Sequence, residues 1–225
     1  LAIYYTAENA VIKATNTTIN ITGEHTDDTI VAIAAAQGSN ITIDGSSDEV
    51  LFAEAYIEYD GNTALAFDTL EEAVEYAKAG DTVTLLRDVT LSAILTINKS
   101  ITLDGNGYTL TSSAGRAINV TGADGVTIKD LTIVATGERA INVIGGATNV
   151  TIEGVTATAA NYAVNVAATA ANAVVTITDS NLTGLCVVNV AAENADVTVE
   201  GTTLTCNDTN EAENYAALTL NVDAK

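Results

Sequence analysis

A chain of 225 residues with 48% apolar content can bury a long core, and its 29 acidic against 8 basic residues give a formal charge of −21. That charge repels nucleic acid and anionic lipid, so nucleic-acid binding is not expected. The longest apolar run, Ile30 to Ala36, stops at Gln37 and Gly38, far short of the roughly 18 residues a membrane span needs.

The chain contains no Met, even at position one, as expected of a secreted product trimmed of a signal segment. It also contains no Pro, which suits a protein made mostly of central strands, whose amides must all donate to a neighbour. Residues 1–60 carry apolar pairs without strict period: Ile3 with Tyr5, Val11 with Ile12, Ile19 with Ile21, and Ile41 with Ile43. Asn40 to Gly45 echoes Asn149 to Gly154, so this segment is expected to be β-rich and coil-like, in a side module or against another copy. The only histidine, His25, lies among Glu24, Asp27 and Asp28, where a solvated loop is favoured over a metal site. The stretch Gly61 to Ala66 is the expected junction, dividing the chain into 1–60 and 61–225. A helix is expected over 68–79, because Thr69 and Glu72 make a capping-box pair. Leu70, Ala73, Val74 and Ala77 form its apolar stripe, and Gly80 supplies the stop.

Beyond the helix one phrase recurs every 22 to 25 residues or so, as Ile101-Thr102-Leu103, Val126-Thr127-Ile128, Val150-Thr151-Ile152, Val175-Thr176-Ile177 and Val197-Thr198-Val199. A second travels with it, as Ile118-Asn119-Val120, Ile141-Asn142-Val143, Val164-Asn165-Val166 and Val188-Asn189-Val190. A looser third, such as Leu131-Thr132-Ile133 or Val155-Thr156-Ala157, brings the count to about three strands per repeat. Alternation sends the aliphatic residues one way and the Thr or Asn the other. One such repeat cannot bury its apolar face, but stacked parallel coils can, with each strand about 4.8 Å from the next. About seven coils are expected over 81–222. Gly and Asp cluster at the corners, as in Asp104 to Gly107 and Gly122 to Gly125, where sharp bends are needed.

The segments Phe67 to Val74, Ala79 to Leu85 and Ile101 to Gly107 resemble the opening of pectin-lyase-like right-handed β-helices, in which a helix covers the first coil. The resemblance runs to about Val222. It implies an all-β, right-handed parallel β-helix (β-solenoid) with one short capping α-helix. Similar folds carry lyases and hydrolases that cleave polysaccharides with clustered carboxylates, a basic residue and often calcium. Here the Asn-Thr-Asp, Gly-His-Gly and Arg-Ile-Lys sets of polygalacturonases are absent. Two of the three Arg, Arg116 and Arg139, hold equivalent positions, which suggests stacked surface residues. No enzymatic activity is therefore expected, with a polysaccharide lyase or glycoside hydrolase as the rival. Asp104, Asp124 and Asp179 read as turn residues; calcium at them has no motif in support, and no cofactor is expected.

Four further readings concern surface and crosslinks. The outward line Thr102, Thr127, Thr151, Thr176 and Thr198 suggests an ice-binding solenoid only weakly, because the residue two further on is charged at Asp104, Lys129 and Glu153 and only Thr178 repeats the hydroxyl. The line Asn119, Asn142, Asn165 and Asn189 reads as an amide ladder between coils. Asn-x-Ser/Thr sites, at Asn16, Asn20, Asn40, Asn98, Asn119, Asn149, Asn181 and Asn207, are candidates for glycosylation, although the repeat phrase itself generates many of them. Cys186 and Cys206 lie about one coil apart, and in a secreted chain a disulfide is expected. Together these features suggest a secreted or cell-surface structural or adhesive protein. Its expected partner is itself, head to tail, with Ile3, Tyr5, Ile19 and Ile21 meeting an open edge at Leu218 and Leu220; glycans or the cell envelope are the other candidates.

Overall fold

The computed structural model describes residues 53–58, 64–207 and 216–221, together with the backbone of the strands Thr18–Thr22 and Asn40–Asp44. Among them the repeat forms a parallel β-helix of about five turns, with three strands per coil. The alternation acts as expected: Val126 and Ile128 are fully buried while Thr127 between them reaches solvent. Registers then hold each apolar column straight, with Val126 beside Val150, Val150 beside Val175, and Val175 beside Val197.

The first sheet runs through Thr82–Leu85, Thr102–Asp104, Asp124–Lys129, Thr148–Glu153, Val174–Thr178 and Asp196–Glu200. The second consists of Val89–Leu91, Thr109–Ser112, Thr132–Ala135, Thr156–Ala159, Asn181–Gly184 and Thr203–Cys206. The third consists of Leu95–Ile97, Arg116–Thr121, Arg139–Ile144, Tyr162–Val166, Val188–Val190 and Leu218–Leu220. This is fewer coils than the expected seven. The last coil spends residues 207–217 between its second and third strands, where earlier coils use a tight corner such as 136–138.

The N-terminal end is closed. The helix Leu70–Tyr76 buries Leu70, Ala73 and Val74 in the core, and Thr69 caps it by accepting from the Glu72 amide at 3.2 Å. It is shorter than the expected 68–79 because Ala77 leaves helical geometry, at φ −52° and ψ 145°, and the Lys78 amide turns to the Asp81 carboxylate at 2.8 Å. Lys99 takes over at that end, donating to the carbonyls of Val74, Glu75 and Ala77, where a cation suits the helix dipole. Beside the helix, Ala55–Glu58 and Ala64–Phe67 form an antiparallel hairpin, and the first of these strands also pairs antiparallel with Thr82–Leu85. Of the expected junction, Gly61 to Ala66, residues 61–63 lie outside the described residues and 64–66 belong to the second of these strands, while residues 55–58 pair into the main sheet.

Corners use Asn and Asp in left-handed geometry, as at Asn106, Asp130, Asn149 and Asp179. Thr18–Thr22 pairs parallel with Asn40–Asp44, Ile19 beside Ile41 and Ile21 beside Ile43, an offset of one coil. Ile3 and Tyr5 lie outside the described residues.

Candidate functional site

Among the described residues, the chemistry lies on the outward side of the three long sheets and on the last coil. On the first sheet the outward threonines stack in register from Thr102 through Thr127, Thr151 and Thr176 to Thr198. Their neighbours two residues on are mostly charged. The Lys129 ammonium lies 2.5 Å from Asp104 and 3.2 Å from Asp130. Hydrogen bonding to Asp104 is the main cause that raises the Lys129 pKa above its ordinary value, opposed by some desolvation.

The third sheet carries the expected amide ladder. Asn142 donates to Asn119 at 2.9 Å, Asn165 to Asn142 at 2.7 Å and Asn189 to Asn165 at 2.7 Å, and Asn221 continues the chain onto Asn189. Asn142, Asn165 and Asn189 are buried, and the ladder satisfies amides that would otherwise lose their water. Beside it Arg116, Arg139 and Tyr162 stand in register, with the Arg139 guanidinium 5.3 Å from the Tyr162 ring centroid and 3.5 Å from Glu138. The Nε atoms of both arginines are buried without a hydrogen-bond partner.

The second sheet holds what the sequence reading missed. One outward column runs Thr109, Thr132, Thr156, Asn181, Thr203, and a parallel one runs Thr90, Thr111, Val134, Thr158, Thr183, Thr205. Thr-x-Thr occupies three of the six strands of this sheet, in alternate coils, and on the first sheet it occurs at Thr82-Val83-Thr84 and Thr176-Ile177-Thr178. The signal was present in Thr109-Leu110-Thr111, Thr156-Ala157-Thr158 and Thr203-Leu204-Thr205, but the inward residue varies between Leu, Ile and Ala, which hides the alignment.

The last coil is the least covered. Leu218 and Leu220 are 46% and 53% exposed, and Val197, Val199 and Leu204 are only partly buried, although Ile177 and Leu182 one coil earlier are almost completely so. Cys186 and Cys206, the pair expected to bridge, are both unbridged in this structure. Register sets Cys206 beside Gly184 rather than Cys186. The Cys206 thiol contacts the Leu185 carbonyl at 2.9 Å, while Cys186 reaches the Thr219 hydroxyl at 3.0 Å. Burial pushes the Cys186 thiol pKa up, so its thiolate is disfavoured.

Among the sequons, Asn98, Asn149, Asn181 and Asn207 are exposed, and the Asn149 amide already donates to Asp124 at 2.6 Å. Asn119 is engaged in the ladder. Asn16 and the side chains of Asn20 and Asn40 lie outside the described residues, as does His25. Among the described residues no three His, Cys, Asp or Glu side chains gather where they could hold a metal ion, and no helix is long and apolar enough to cross a membrane. Comparison with protein-family models, with curated proteins and with solved structures finds no match.

Proposed function

We propose that this chain is a structural, self-associating rod of a secreted or cell-surface protein, a right-handed β-helix of the pectin-lyase-like kind that works by association and not by turnover. The observation that carries this reading is the inequality of the two ends. One is closed by a helix and an antiparallel hairpin, whereas the last coil presents Leu218 and Leu220 and the half-covered Val197, Val199 and Leu204. A strand laid on that edge would satisfy its outward backbone groups and bury its apolar residues.

The occupant we propose is the N-terminal segment of a second copy. Its strands Thr18–Thr22 and Asn40–Asp44 already pair at a one-coil offset, so they carry the period the edge requires. The test is light scattering of the full chain over a concentration series, beside the double variant Leu218→Lys, Leu220→Lys. The full chain should grow into larger species and the variant should stay small, since both side chains are exposed and their replacement leaves the core intact. A full chain that remains monomeric at high concentration, or a variant that assembles equally well, refutes the reading.

A further inference from the structure

The second sheet supports an inference that is independent of self-association, because this sheet runs along the side of the rod and not at its ends. We propose that it binds the surface of an ordered water lattice, ice being the solid form.

Strand geometry fixes the grid. Residues two apart on a strand lie about 6.7 Å from one another and neighbouring coils about 4.8 Å, so the two columns form a nearly rectangular array. Registers stay constant from Thr90 beside Thr111 to Thr183 beside Thr205, without a bulge. Both spacings approximate oxygen repeats of hexagonal ice. Each threonine brings a hydroxyl with one donor and two acceptor positions, and a methyl group that leaves little room for disordered water. χ1 is restricted by the branch at Cβ, so the array is largely set before it meets its ligand.

None of these hydroxyls bonds to another described residue, whereas the corner hydroxyls of Thr136 and Thr202 donate to the carbonyls of Ser112 and Glu200. Val134, 36% exposed, holds the threonine shape with a methyl in place of the hydroxyl.

Strand propensity explains threonine on a wet sheet but not the distribution of charge. In a chain of charge −21 the outward positions within the strands of this sheet carry neither acid nor base, Asp88 standing just before the first strand where it accepts from the Thr109 amide, while the matching positions of the first sheet hold Asp104, Lys129, Glu153 and Glu200 beside Thr84 and Thr178. The face is thus matched to an uncharged, periodic partner. It also lacks aromatic side chains, the usual platform for sugar rings, and this favours water over a crystalline polysaccharide.

The experiment measures the gap between melting and freezing points of a single ice crystal in a solution of the full chain, together with incorporation of the labelled chain into slowly growing ice. Thr158→Lys places a charge at an exposed position in the array, and Thr151→Lys places the same charge on the first sheet. Circular-dichroism melts show that both variants fold. The parent and Thr151→Lys should open a freezing gap and enter the ice, and Thr158→Lys should lose both effects. No gap with the parent chain overturns the proposal, as does an unchanged gap in a folded Thr158→Lys. Sedimentation with microcrystalline cellulose or chitin that Thr158→Lys abolishes, without any ice effect, assigns the face to a neutral polysaccharide and equally overturns it.

Discussion

Thr127 and Ile128 are neighbours in sequence and opposites in environment, and the contrast shows how the fold uses each residue. Ile128 is fully buried between Leu103 and Ile152, so Ile128→Asp would place a carboxylate in a column without polar partners. The expected cost is several kcal/mol, enough to abolish cooperative melting. Thr127→Val keeps the shape on a face that meets solvent and should shift stability by no more than about 0.5 kcal/mol. Thermal melts of the two variants check this, and a cooperatively folded Ile128→Asp would refute the assignment of the column. Glu54 offers a test in pH. Burial raises its pKa above the ordinary glutamate value, partly offset by the Leu70 amide that donates to its carboxylate at 3.0 Å. The folded state therefore holds the proton more tightly than the unfolded chain. This contribution to stability is complete below the unfolded value, about 4.3, and is lost as pH rises through the folded one. Glu54→Gln keeps an acceptor for Leu70 and cannot ionise. Its melting temperature should exceed the parent's above that window, and the difference should shrink as pH falls; a constant difference across the series refutes the linkage.

At the scale of elements, the strands with a recurrent apolar signature were legible in register, and those of the second sheet only as a looser third strand. Val-Thr-Ile and Ile-Asn-Val announce the first and third sheets because the same aliphatic residues return in every coil. The second sheet varies its buried column through Leu110, Ile133, Ala157 and Leu182, so its outward pattern could not be aligned from spacing alone. The hairpin of Ala55–Glu58 and Ala64–Phe67 was legible only as a break, since two-residue alternation is the same in parallel and antiparallel strands. The early end of the helix depends on a backbone turn at Ala77 that composition does not encode. Corner glycines are a further example. A Cβ on Gly137 would stand 1.9 Å from the Ala114 carbonyl oxygen of the coil below, while one on Gly115 would meet open space. Gly137→Ala should therefore cost about 1–3 kcal/mol in denaturant melts and Gly115→Ala little, although the two residues read alike in sequence. Equal stability of the two variants would contradict the close approach of these corners.

For the whole molecule, each coil meets only the coils directly before and after it, so stability is nearly a sum of coil terms and nearest-neighbour terms. The same restriction separates the two proposed surfaces. Changes at Leu218 and Leu220 should leave the threonine array untouched, and a charge at Thr158 should leave the edge untouched. If apolar burial and backbone pairing drive assembly, raising the salt concentration should alter the size distribution of the full chain only weakly. A collapse of the assemblies between low and physiological salt would point to charge instead. The amide ladder adds a longitudinal link on one side only, from Asn119 to Asn221, and so ties each coil from the second onward to the next by a side-chain bond besides the strand pairings. A rod held at one end and pulled at the other would then give way coil by coil rather than all at once. Each detached coil frees roughly two dozen residues, or about 80 Å of slack at ~3.3–3.6 Å per residue. Under tension such a molecule would lengthen in equal steps, one coil at a time.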